Sequence, residues 1–81
     1  MPHYVYILKS LKDKKRYIGL TNNIERRLSQ HNSGKVTATS KRIPLELIYF
    51  ETFENRSEAA LREKFFKSGK GRVHLNAKNI K

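Results

Sequence analysis

The sequence predicts an α+β domain with three β-strands and two helices, because it contains three apolar runs and two polar segments with helix-capping residues. The runs at residues 3–10, 16–21 and 45–53 are rich in aromatic and β-branched side chains, which favour strands. A chain of 81 residues has room for one domain, residues 1–81, since a domain of this size buries only about 60% of its unfolded surface. We therefore expect a single modest core.

The first two runs are expected to form a hairpin, because the lysine-rich segment at 11–15 between them is typical of a turn. The register of this hairpin decides whether Tyr6 and Tyr17 can meet. If the loop has an even number of residues and Tyr6 lies opposite Tyr17, both side chains lie on one face of the sheet. A slip of one residue would place them on opposite faces.

A short helix is expected after the second strand. Asn22 or Asn23 can cap its N-terminus, and Glu25 is favourable in its first turn. Gly34 fits the left-handed position at which many helices end.

The rest of the chain predicts a loop, a third strand and a second helix. The segment 35–44 is polar and basic, and Pro44 precedes the strand. The second helix is expected to begin at Asn55 or Ser57 and to end at Gly69. One further helical turn is expected in the tail.

The charge of the chain predicts a polyanionic partner. The sequence has 18 Lys and Arg residues against 7 Asp and Glu residues, a formal net charge of +11 that is spread from Lys9 to Lys81. Such a field attracts polyanions through counterion release, and nucleic acid is the first candidate partner. No apolar run approaches the roughly 20 residues that cross a bilayer, so no membrane association is expected. We expect a soluble, cytoplasmic protein, with association with the nucleoid left open.

Glu63 is the residue that a purely structural interpretation explains least well. In a helix, Ala59, Ala60 and Phe66 are its neighbours at i−4, i−3 and i+3, so the carboxylate should lean towards the apolar face. A charge in that position must be paired or must bind a cation. The structural alternative is an ion pair with Lys67 at i+4.

The other candidate site residues are individually ambiguous. Tyr6 and Tyr17 suit the core of a sheet, whereas Arg27 and His31, four residues apart on a helix, can reach one common point. The segment 69–72 could cradle a phosphate, although glycines after a helix more often form a C-cap and a turn. Taken together, a carboxylate, an arginine and proton-transferring tyrosines or histidine are the components of a metal-assisted phosphodiesterase.

Four short motifs in this order resemble the GIY-YIG nuclease family, in particular its small single-domain members. They are Y-V-Y-I-L at 4–8, Y-I-G at 17–19, R-R-L-S-Q-H-N at 26–32 and A-A-L-R-E-K-F-F-K at 59–67. The resemblance extends from about Tyr4 to Arg72. The first motif keeps Tyr6 but has Tyr4 where the family has its first glycine.

The resemblance implies a fold, a cofactor and a set of roles. The fold would be a three-stranded antiparallel β-sheet flanked by helices. Tyr6 and Tyr17 would be the paired tyrosines, Arg27 would contact phosphate, His31 would be a site histidine, and Glu63 would bind Mg²⁺ or Mn²⁺ together with several waters. A water would attack phosphorus in line, and Tyr6, Tyr17 or His31 would accept its proton. The phenols would be made more acidic by Arg27, the metal or the positive field.

The predicted function is a metal-dependent DNA endonuclease or nickase with a one-metal mechanism. The alternatives are a non-catalytic nucleic-acid-binding module of the same fold and a small basic interaction protein of the ribosome or nucleoid. An accessory subunit could supply specificity, because the chain has room for no separate DNA-binding domain. The expected contacts to the nucleic-acid backbone are Lys35, Lys41, Arg42, Lys67, Lys70 and Arg72.

Overall fold

The structure is a computed structural model that describes residues 1–80. Residues 1–80 form three strands, three α-helices and one 3₁₀ turn. Their bounds are β1 His3–Ser10, β2 Arg16–Thr21, α1 Ile24–Asn32, the 3₁₀ turn Thr37–Thr39, β3 Leu45–Phe53, α2 Arg56–Lys67 and α3 Gly69–Ala77. The α+β prediction is confirmed, and the three strands coincide with the three apolar runs.

The strands form one antiparallel sheet in the order β2-β1-β3. The hairpin pairs Tyr6 with Gly19 and Leu8 with Tyr17, so Tyr6 and Tyr17 are diagonal neighbours rather than direct partners. Their offset is an even number of residues, and both side chains therefore lie on the same face of the sheet.

The central strand β1 is buried on both faces. Val5 and Ile7 point to the face that α2 and α3 cover, where they pack against Ala59, Phe66 and Leu75. All five side chains are fully buried. This cluster is the larger part of the core.

The opposite face of β1 packs against α1. Tyr6 and Leu8 point to this face and contact the apolar residues Ile24 and Leu28 of α1. Asn23 caps the helix by accepting the N–H of Arg26, so the prediction of an asparagine cap is confirmed.

The prediction that Gly69 ends the second helix is wrong. The helix α2 begins after its cap Asn55 and ends at Lys67, and Gly69 is the first residue of α3. The reason is Ser68, whose hydroxyl accepts the N–H of Gly71 at 3.1 Å and so begins a new helix. The tail therefore holds a helix of nine residues rather than a single turn.

Residues 69–72 form the first turn of α3, not a separate turn or an open phosphate loop. Gly71 is buried there, and a Cβ on it would collide with the backbone of Phe65 and Phe66. The missing side chain lets α3 pack closely on α2. Among residues 1–80, no helix is long and apolar enough to span a membrane.

Candidate active site

Three hydrogen-bonded side chains lie between the sheet and α1. The hydroxyl oxygen of Tyr6 is 2.9 Å from Nε2 of His31, and Nδ1 of the same imidazole is 2.7 Å from Oγ1 of Thr39. Tyr6 is 2% exposed, and His31 and Thr39 are 0% exposed. A buried polar group is costly unless it is hydrogen-bonded, so this network fixes the position of each side chain.

Arg27 extends the network towards the surface. Its Nε–H donates to the hydroxyl oxygen of Tyr6 at 3.4 Å, and its Nη1 donates to Gln30 at 3.1 Å. Since a guanidinium only donates, the Tyr6 hydroxyl proton is left to donate to His31. The network then assigns the imidazole proton to Nδ1, which donates to Thr39.

Tyr17 completes the group on the same face. Its ring centroid lies 5.0 Å from that of His31 and 6.5 Å from that of Tyr6. Tyr17 is half-buried, in contrast to the buried Tyr6. The structure therefore brings together four of the five predicted catalytic residues, namely Tyr6, Tyr17, Arg27 and His31.

Gly19 makes the arrangement sterically possible. The ring of Tyr6 crosses directly over Gly19 on the edge strand β2, and a Cβ there would overlap the ring and the hydroxyl oxygen. Only glycine leaves room for the ring, so the glycine of the Y-I-G motif has a packing role. The hydroxyl of Tyr6 is thereby directed towards the β2 edge.

Burial controls the protonation of the network. It lowers the pKa of His31 to about 4, with a further contribution from the neighbouring Arg27 charge, so the imidazole is neutral at pH 7. Burial also raises the pKa of Tyr6, and Tyr17 and Glu63 add to the rise while Arg27 opposes it. Arg27 alone therefore does not acidify the phenol of Tyr6 as expected, because desolvation outweighs the arginine.

Glu63 lies on α2, on the other side of the sheet from α1. Its side chain is 23% exposed, and its carboxylate lies 3.2 Å from Nζ of Lys67, so the i, i+4 ion pair named as the structural alternative is present. The helix α2 also packs against the edge strand β2, and the negative charge of Glu63 is the smallest of the contributions that shift the pKa of Tyr6. Among residues 1–80, no three or more His, Asp or Glu side chains gather as ready-made metal ligands.

The six residues predicted to contact nucleic acid differ in how far their charges are already paired within the protein. Arg42 forms an ion pair with Asp13 at 2.8 Å and donates to the carbonyls of Lys15 and Arg16, so its guanidinium ties the loop to the hairpin. Lys67 is paired with Glu63. The remaining four are exposed, namely Lys35, Lys41, Lys70 and Arg72.

A second polar cluster, which was not predicted from the sequence, lies on the face of the sheet that α2 and α3 cover. Arg62 pairs with Glu51 through two hydrogen bonds of 2.8 and 3.2 Å, and Tyr49 also donates to Glu51. The guanidinium carbon is 4.5 Å from the ring centroid of Phe66, and Nη2 is 3.4 Å from Nε2 of His74. This cluster ties β3, α2 and α3 together.

Thr39 was also missed. It lies in the polar segment 35–44, where nothing in the spacing sets it apart, and only the fold places it beside His31. The 3₁₀ turn that ends at Thr39 directs its side chain into the protein.

A small basic α+β domain with this tyrosine, arginine and histidine site has the architecture of a GIY-YIG nuclease domain. The chain belongs to the GIY-YIG family, since the profile of the GIY-YIG catalytic domain matches residues 2–79.

The chain is similar to several proteins that share the designation UPF0213. The chain is 50% identical over 66 residues to a UPF0213 protein of Clostridium perfringens, an alignment that covers 80% of this chain and 70% of the relative. It is 43% identical over 67 residues to a UPF0213 protein of Haloquadratum walsbyi, covering 82% and 74% of the two chains. The solution NMR structure of a UPF0213 protein from Bacillus halodurans matches with a TM-score of 0.57 and 36% identity, covering 95% and 84%.

Proposed function

We propose that the protein is a divalent-metal-dependent endonuclease that hydrolyses phosphodiester bonds of DNA. The observation that carries the proposal is the position of Arg27, whose guanidinium contacts Tyr6 at the mouth of a buried network. The ion pairs among residues 1–80 do not include Arg27, so its charge is not neutralised by a carboxylate. An arginine of this kind suits a phosphate oxygen.

Glu63 fits the role of a single protein ligand for Mg²⁺ or Mn²⁺. Glu63 is partly exposed and belongs to no cluster of three or more potential ligands within residues 1–80, which matches the habit of Mg²⁺ to keep several waters and to use one or two carboxylates plus substrate phosphate. Lys67 would have to release the carboxylate, which costs little for an exposed i, i+4 pair. When bound, the cation would neutralise negative charge on the substrate phosphate and on the leaving oxygen.

The chain's own residues supply the remaining steps. Arg27 orients the phosphate and stabilises the charge that develops on its oxygens. As Tyr6 accepts the proton of the attacking water, its own hydroxyl proton passes to Nε2 of the neutral His31. Neutralisation of Glu63 would remove one of the charges that raise the pKa of Tyr6, which favours the phenolate.

The second candidate function is a non-catalytic nucleic-acid-binding module, and the Lys67–Glu63 ion pair favours it. In that case Glu63 would be a structural partner of Lys67 and would not hold a cation. The network around Tyr6 would then serve only to pack α1 on the sheet.

The experiment that separates the two functions is a nicking assay at low salt on supercoiled plasmid and on a branched oligonucleotide. Wild type, Glu63→Gln and the control Glu54→Gln are compared in Mg²⁺, in Mn²⁺ and in chelator, with DNA binding measured alongside. Glu54 is an exposed carboxylate just before α2. We expect metal-dependent cleavage by wild type and Glu54→Gln, and loss of cleavage without loss of binding in Glu63→Gln. Binding by all three proteins without cleavage would support the binding module instead.

A further inference from the structure

A basic cavity adjoins the candidate active site at the end of the sheet where β1 begins and β2 ends. It has a volume of about 300 Å³. The polar residues that line it are Arg26 and Arg27 of α1, Arg56 of α2, His3, Thr21, Asn22 and Gln30. None of the lining residues is acidic.

The arginines of α1 are held in place for a ligand. Arg26 donates to Asn22 at 3.0 Å, and Arg27 donates to Gln30 at 3.1 Å, which limits the conformations of both guanidinium groups. None of the ion pairs formed within residues 1–80 involves Arg26, Arg27 or Arg56. Three arginines therefore face one cavity without a neutralising carboxylate, and such a cavity favours an anion.

Arg27 belongs both to the cavity and to the network around Tyr6. An anion in the cavity therefore lies next to the phosphate on which the proposed chemistry acts. We propose that this cavity is a subsite for a second phosphate of the strand that is cut, bound chiefly by Arg26 and Arg56. This proposal rests on the proposed nuclease function, and it predicts a polynucleotide substrate rather than a mononucleotide or a small phosphoester.

The shared ligand chemistry is a phosphate group, which could belong to a nucleic-acid strand or to a free phosphate ion. The first test is binding, which needs no catalysis. Labelled DNA oligonucleotides are titrated with wild type, Arg56→Gln and the control Lys12→Gln across a range of salt, in chelator. Lys12 lies in the hairpin loop at the opposite end of the sheet, and Lys12→Gln removes one positive charge, as Arg56→Gln does.

We expect Arg56→Gln to bind about 3- to 10-fold more weakly and to lower the salt slope by about 1, whereas Lys12→Gln changes neither. Equal losses in the two variants would overturn the subsite, because binding would then follow net charge alone. Binding of inorganic phosphate is measured by NMR shifts near Arg26, with Arg56→Gln as the variant that should abolish them. If phosphate binds at submillimolar concentration and DNA does not compete with it, the proposal is also overturned. The cavity would then be a small-anion site.

The second test uses cleavage and locates the phosphate. Single neutral methylphosphonate linkages are placed in turn on either side of the cut bond. For wild type, we expect one flanking position to raise KM about 10-fold with little change in kcat. The KM of Arg56→Gln should not change when the neutral linkage is at that position. At every other position, the neutral linkage should affect Arg56→Gln and wild type alike. If the losses caused by Arg56→Gln and by the neutral linkage are additive, the proposal is overturned. If wild type does not cleave at all, the nuclease function is refuted, and the binding test still decides whether the subsite exists.

Discussion

Two sets of tyrosine, arginine and histidine lie on opposite faces of one sheet, and they differ in how the arginine is neutralised. On the α1 face, Arg27 contacts the hydroxyl of Tyr6, which contacts His31. On the α2/α3 face, Arg62 contacts His74 and pairs with the carboxylate of Glu51, which Tyr49 also contacts. The residue types are the same, but the second set includes an acid.

This difference decides what each set can do. Burial raises the pKa of Glu51, but hydrogen bonds from Arg62 and Tyr49 outweigh it and leave the pKa below its usual value, so the carboxylate is charged and the pair is balanced. A balanced pair stabilises the packing of three elements and leaves little attraction for an anion. An arginine without a carboxylate beside it keeps that attraction. The unbalanced charge, rather than the residue types, marks the candidate site.

The largest expected effects come from one glycine on each face. Gly71→Ala should destabilise the protein by more than about 3 kcal/mol, since the methyl group meets backbone that cannot move aside. Gly19→Ala should displace the ring of Tyr6, so its main effect should be on cleavage. Urea unfolding and nicking assays measure the two effects. Gly69→Ala is the control, because a Cβ there meets nothing within 4 Å. Equal effects at all three glycines would contradict this assignment.

The next largest difference should be between substitutions of Arg62 and Arg27 in their effect on the free energy of unfolding. Arg62→Gln leaves Glu51 without its ionic partner and should cost about 2–3 kcal/mol in the free energy of unfolding. Arg27→Gln breaks no ion pair and should cost less than about 1 kcal/mol. Urea unfolding at pH 7 measures both. A larger cost for Arg27→Gln would show that Arg27 is the structural residue.

Part of the pH dependence of stability should come from His31 on the α1 face. The pKa of His31 is about 4 in the folded protein and 6.5 ordinarily, so the unfolded chain binds a proton that the folded protein excludes between these values. The stability that His31 contributes is complete above about pH 6.5 and decreases as the pH falls towards 4, by at most about 3 kcal/mol. Urea midpoints from pH 4 to 8 test this. In His31→Gln the decrease should be smaller, and an unchanged profile would contradict the assignment.

The smallest effects should come from the hydroxyl groups at the far end of each set. Thr39→Val removes the acceptor for the buried Nδ1–H of His31 and should cost about 1–2 kcal/mol together with a loss of cleavage. Tyr49→Phe removes one of three hydrogen bonds to Glu51 and should cost about 0.5–1 kcal/mol without affecting cleavage. Thermal unfolding and nicking assays distinguish the two. A normal rate for Thr39→Val would show that the orientation of His31 is unimportant.

Local chemistry explains what could be predicted from the sequence. The strands were predictable because their aromatic and β-branched runs are short and clearly bounded, and Asn23 and Asn55 cap helices through contacts three residues away. Spacing on one helix placed Arg27 and His31 together. The order of the motifs then indicated the family.

The remaining features depend on contacts between distant segments. Gly69 looked like the end of a helix because the cap at Ser68 and the close packing at Gly71 appear only in the fold. Thr39 had no local signal, and the raised pKa of Tyr6 depends on how deeply α1 and the sheet bury it. The sequence could not show which arginine has a carboxylate partner, because Arg62 and Glu51 lie on different elements.

The most direct test of the central claim is the rate of metal-dependent nicking by Arg27→Gln and Arg62→Gln, measured side by side well below the unfolding temperature of each. The account predicts that Arg27→Gln loses at least about 100-fold in rate, because its charge acts on the substrate phosphate. Arg62→Gln should keep a rate within a few-fold of wild type although it is the less stable protein. Equal rates, or a larger loss for Arg62→Gln, would contradict the claim that the unbalanced arginine marks the active site.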